Sequence, residues 1–153
     1  MFGPSRSAGH FLAALVLLAS TSSSAPAAAG NFCENLRQVL QAIRADLEVL
    51  RGPQRMDTDA YSVQVALPGA RDCELFDFIV VDYSCQWAVR PATVDRARAL
   101  VRQIVAATNQ CIAPSSLALD RQAERPTWRL KEDAITIEVV GGDSDEVRLS
   151  VSK

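Results

Sequence analysis

The sequence predicts an α+β domain of two layers: an antiparallel sheet of about five strands with two helices on one face, in the order αββαβββ. Three observations carry this expectation. Two segments place apolar residues at helical spacing, five segments alternate apolar and polar residues, and the second helical segment falls between the second and third alternating ones. A chain of 153 residues, 48% hydrophobic and 22% charged, has the size and composition of one folded domain.

The first 29 residues stand outside that domain by composition. A short N-terminal stretch carrying Arg6 precedes the apolar run Phe11 to Ala19, then small polar residues Ser20 to Ser24, then Ala25-Pro-Ala-Ala-Ala29. This is the order of a secretory signal peptide, with cleavage expected after Ala29 or, second, after Ala27. The apolar run is far shorter than the roughly 20 residues that a membrane-spanning helix needs, so no stable membrane insertion is expected after cleavage. Residues 30–153 then form a single disulfide-bonded domain. It lacks histidine, because His10 is the only one in the chain.

A first helix is expected over Phe32 to Arg51. Asn31 and Glu34 suggest a capping-box variant; Phe32, Leu36, Val39, Leu40, Ile43, Leu47 and Leu50 form an apolar stripe, and Gly52-Pro53 stops it. Tyr61, Val63, Val65 and Leu67 then alternate with polar or small residues, and Pro68-Gly69 bends or ends that strand. A longer strand follows from Ile79 to Val89. Beyond Arg90-Pro91 the period changes to helical, with Thr93 as N-cap and Val94, Ala97, Val101, Ile104, Thr108 and Cys111 in one stripe. Ala113 to Arg125 lacks periodicity and is expected to be a loop. The last three strands, near Thr127–Lys131, Ala134–Val140 and Asp145–Ser152, suit two hairpins. Leu130 would face Ile135, Val139 would face Val147, and the first turn would lie at Glu132-Asp133.

The four cysteines, Cys33, Cys73, Cys85 and Cys111, all lie beyond the signal, and export delivers them to an oxidising compartment. If each helix opposes its neighbouring strand and the two strands of the first hairpin oppose each other, the helices are antiparallel. Cys33, near the start of one, then meets Cys111, near the end of the other. Cys73 and Cys85 cross-link the first hairpin, whose register stays open because Leu67 would fall opposite Pro91. Spacing alone permits two other pairings.

Chemistry-bearing patterns are sparse. Without histidine, Ser-His-Asp and Cys-His catalysis are excluded from the mature domain, and paired cysteines are not nucleophiles. No C-x-x-C pair indicates a metal, and no cofactor is expected. Acidic pairs at Asp57 and Asp59, at Asp77 and Asp82, and at Asp143, Asp145 and Glu146 leave a carboxylate-dependent hydrolase as the alternative function. The Gly141-to-Glu146 segment reads as a hairpin turn rather than a calcium loop. Tyr61, Tyr83, Trp87 and Trp128 fall on the inward side of the alternation and are expected in the core. The mature part has one basic residue fewer than the chain's 16 and all 18 acidic ones, a net charge of −3, with no basic cluster for nucleic acid.

Leu67-Pro-Gly-Ala70, Cys73, Tyr83-Ser-Cys85-Gln-Trp87, a helix ending at Cys111 and a C-terminal sheet with Trp128 resemble small uncharacterised exported proteins of Gram-negative bacteria. That resemblance covers most of the mature chain. It implies a periplasmic address and a disulfide-stapled α+β fold, and carries no activity. The order of elements also resembles type III secretion chaperones, but those work in the cytosol without disulfides. The expected function is therefore a non-enzymatic binding or interaction module of the cell envelope, periplasmic or secreted, such as an adaptor, inhibitor or immunity-type protein with another protein as partner.

Overall fold

The computed structural model describes residues 26–56, 58–141 and 145–153. Most of the expected signal peptide, together with Asp57 and Asp143, lies outside the described residues. The elements are α1 (Pro26–Ala45), a 3-10 turn (Leu47–Val49), β1 (Arg51–Gln54), β2 (Ala60–Val63), β3 (Asp72–Asp77), β4 (Val81–Ala88), α2 (Val94–Ile112), β5 (Ala118–Asp120), β6 (Thr127–Glu132), β7 (Ile135–Gly141) and β8 (Glu146–Ser152). All eight strands join one antiparallel sheet in the order β1-β2-β3-β4-β8-β7-β6-β5.

The fold class is α+β with two helices and an antiparallel sheet, but the sheet has eight strands rather than about five. Each extra strand has a local cause. Asp46 leaves the helical region and its carboxylate accepts the Glu48 N–H at 3.0 Å, so α1 ends at Ala45 and the chain re-forms as a single 3-10 turn. The expected helix to Arg51 is therefore too long, and Gly52-Pro53 lies in edge strand β1, a position that tolerates proline. Gly52 passes so near β2 that a Cβ there would lie 2.7 Å from the Ser62 carbonyl oxygen, which only glycine avoids. The helix also begins before Asn31, which is interior and not a cap.

On β3, Cys73 and Leu75 point inward and alternate with Asp72, Glu74 and Phe76. Cys73 faces Cys85 directly, while the strand from Ala60 pairs with β3 instead of β4, which resolves the open register. Strand β5, three residues in the expected loop, is too short for periodicity to reveal.

The last three strands pair in consecutive hairpins, each shifted by two residues from the expected register. Leu130 faces Ile137, and Val139 faces Leu149. A two-residue shift keeps every side chain on its face. The cause is the turn, which consists of Asp133-Ala134; Asp133 adopts φ 54°, a conformation that aspartate tolerates better than most residues.

One face of the sheet carries the core: Leu75, Tyr83, Cys85, Trp87, Val147, Leu149, Val151, Ile135, Ile137 and Val139 are all buried. From α2, which Thr93 caps as expected, Ala97, Val101, Ile104, Thr108 and Cys111 pack onto it. Phe32, Leu36, Val39 and Ile43 do so from α1. Tyr83 and Trp87 are buried in this core, and Tyr61 and Trp128 pack against it. The opposite face is polar. One row across it reads Ser62, Glu74, Ser84, Ser150, Glu138, Arg129.

Cys33 bonds Cys111 and Cys73 bonds Cys85, with Cα separations of 4.9 and 4.1 Å. The helices are nevertheless not antiparallel. Phe32 sits 6.5 Å from Trp87 and the last turn of α1 lies by Val81 and Lys153, so α1 runs against β4. Val101 lies over Gly141 and Cys111 near Ile135, so α2 descends toward the same end of the sheet. Strand β3 explains the difference: inserted between the two expected strands, it makes β2 and β4 parallel and reverses the inferred sense of α1.

Candidate functional site

Two features of the described surface are unexplained by folding: a groove beside α1 and an apolar hairpin tip. The groove has a volume of about 340 Å³ and lies where the end of α2 leaves β6 and β7 uncovered next to α1. Leu40, Ile112, Leu130, Ile135 and Ile137 make it apolar. Arg37, Gln41 and Arg44 recur at i, i+4 and i+7 on α1, so one helical stripe of donors borders it. Glu132 lies across from that stripe and accepts a 3.4 Å hydrogen bond from the Ser115 hydroxyl. Among the described residues, neither Arg37 nor Arg44 has an ion-pair partner.

The second feature is the β3–β4 turn. Asp77 pairs with Val81, leaving Phe78, Ile79 and Val80 as a three-residue loop. Turns favour glycine, asparagine, aspartate and proline, none of which occurs in this loop. Phe78 and Ile79 are 82% and 87% exposed, so burial does not account for them either. Ala60 pairs with Phe76, which brings the β1–β2 turn and exposed Met56 out at the same end of the sheet.

Among the described residues, the candidate acids do not assemble into a catalytic pair. Asp77 and Asp82 are on opposite faces, since Asp77 is opposite Val81 while Asp82 is opposite Phe76. Asp77 is bound by the Arg51 guanidinium, which also pairs with Glu48 and stacks 4.8 Å above the Tyr61 ring. Burial pushes the Asp82 carboxyl above its ordinary range, opposed by the nearby charge of Arg148 and reinforced by that of Glu138. Asp59, Asp145 and Glu146 are exposed, and the Asp145 carbonyl accepts the Val89 N–H at 2.6 Å. On the polar sheet face, Arg55 pairs with Asp72 and Glu74, and Arg129 with Asp120 and Glu138. Hydrogen bonding to Arg55 holds the Asp72 carboxyl below its ordinary value.

All four cysteines are bonded, so each serves as a staple. Among the described residues, no group of three or more His, Cys, Asp or Glu side chains could hold a metal ion, and no helix is long and apolar enough to cross a membrane. The groove escaped the sequence reading because its walls come from α1, α2, β6 and β7 together. The tip escaped it too: alternation placed Ile79 at the start of the long strand, whereas β4 begins at Val81 and Phe78-Ile79-Val80 form the turn, an apolar sequence that carries none of the residues by which turns are recognised. Comparison with known protein families, curated proteins and solved structures finds no match.

Proposed function

We propose that the protein is a non-enzymatic interaction module of the cell envelope, exported and oxidised, that docks on another protein through its β3–β4 hairpin tip. The observation carrying this reading is the loop Phe78-Ile79-Val80, in which adjacent large apolar residues are held in water by a cross-linked hairpin. Exposed aromatic and aliphatic side chains on a rigid element are what a protein interface buries at its centre. Asp82 beside the tip and Asp59 in the neighbouring turn, with Asp77 paired to Arg51 and Lys153 hydrogen-bonded to Val81, give the tip a border of mixed charge, which suits a protein pocket with a complementary polar rim. The signal-like N-terminus and the two disulfides support the extracytoplasmic address.

A photoreactive amino acid at Ile79, introduced into the full chain and activated in intact cells, tests the reading. A discrete adduct with one envelope protein is expected, and Phe78→Asp in the same chain should abolish it. Cross-linking from Ile79 no stronger than from exposed Arg98 on α2 would overturn the proposal.

A further inference from the structure

We propose that the groove beside α1 binds a single-chain amphiphile with a carboxylate head, independently of the docking tip. Its size suits a small ligand, since pockets for such molecules begin at about 300 Å³. Arg37 and Arg44 are seven residues apart, a separation of about 10 Å along the helix, comparable with an extended chain of about eight to ten carbons. The floor of Leu40, Ile112, Leu130, Ile135 and Ile137 offers such a chain only apolar contacts.

Charge selects the head group. Arg37 and Arg44 bring two guanidiniums to the edge of an apolar surface, with the Gln41 amide between them on the same stripe. A guanidinium binds a carboxylate through two parallel N–H donors, and the interaction strengthens beside an apolar wall that excludes water. Other exposed arginines, such as Arg98 and Arg102 on α2, also have no ion-pair partner among the described residues, but they border no such apolar cavity. What distinguishes Arg37 and Arg44 is the apolar floor beneath them. Glu132 on the facing wall would repel a second carboxylate, so a monoanion is preferred to a dianion.

The probe is decanoate, added below its critical micelle concentration to the oxidised mature protein, with methyl chemical shifts as readout. Saturable shifts confined to Leu40, Ile112, Leu130, Ile135 and Ile137 are expected. The double variant Arg37→Gln, Arg44→Gln changes two exposed side chains and should weaken binding at least ten-fold while keeping the spectrum of a folded chain and the Ile79 cross-link. Decanol should bind at least ten-fold more weakly than decanoate, and decyltrimethylammonium should not bind. No saturable shift with decanoate, equal affinity for decanol, or unchanged affinity in the double variant would overturn the proposal. So would an acidic peptide that occupies the groove where decanoate does not. Loss of the Ile79 adduct without loss of decanoate binding would count against the docking reading alone.

Discussion

Tyr83 shows how a single side chain ties the irregular segment after β2 to the sheet. Its ring is fully buried on β4, and its hydroxyl donates to the Val65 carbonyl at 2.8 Å, while Trp87 on the same face donates to the Pro68 carbonyl at 3.1 Å. Gly69, at φ 77°, lets the chain turn beneath the Trp87 indole. Burial pushes the Tyr83 phenol well above its ordinary value. In the unfolded chain the group ionises near pH 10, whereas the folded chain keeps the proton, so its contribution is present below that pH and is lost as pH rises toward the folded value. Tyr83→Phe should cost about 1 kcal/mol at neutral pH, through the lost hydrogen bond, and should flatten the fall in urea midpoint above pH 10. An unchanged alkaline slope in the variant would show that the phenol does not titrate with folding. The inward place of Tyr83 was legible from alternation. Its partner was not, because Val65 is reached only through a bend that periodicity does not describe.

Among the elements, legibility followed length and neighbours. Helix α2, with nineteen residues and a threonine cap, was readable almost to its ends. For α1 the apolar spacing continued past the true end, since Leu47 and Leu50 are also packed into the core without being α-helical. The β6–β7 register carried a signal that apolar matching overlooked: only the observed register puts Arg129 opposite Glu138, an opposite-charge cross-strand pair. Strand β3 was hidden because only Cys73 and Leu75 mark its inward face while Phe76 is an apolar residue on the outward one, and missing it inverted the inferred direction of α1. The helix–helix link still forms between the expected cysteines because both residues lie on core-facing stripes of two helices that pack against each other. Cys33–Cys111 spans 78 positions and Cys73–Cys85 spans 12. Loop entropy assigns them about 4.5 and about 3 kcal/mol before native strain is counted. Paired alanine replacement of Cys33 and Cys111 should therefore lower the urea midpoint more than the same replacement of Cys73 and Cys85. Equal midpoints, or the reverse order, would show that the hairpin link carries more of the fold than chain entropy assigns to it.

At the scale of the whole molecule, both helices cover one face of an eight-stranded sheet, and the other face stays polar and laced with ion pairs. The groove beside α1 and the exposed β3–β4 tip remain available on this stapled frame, and they give an exported binding module its proposed contacts. That account depends on the chain reaching an oxidising compartment. The most direct measurement is the intact mass and disulfide-peptide map of the protein recovered from the cell envelope after expression of the full chain. The account predicts a chain beginning near Gly30, four hydrogens lighter than its reduced form, with peptides linking Cys33 to Cys111 and Cys73 to Cys85. Recovery of residues 1–29 intact, of free thiols, or of a link from Cys33 to Cys73 or Cys85 would contradict it.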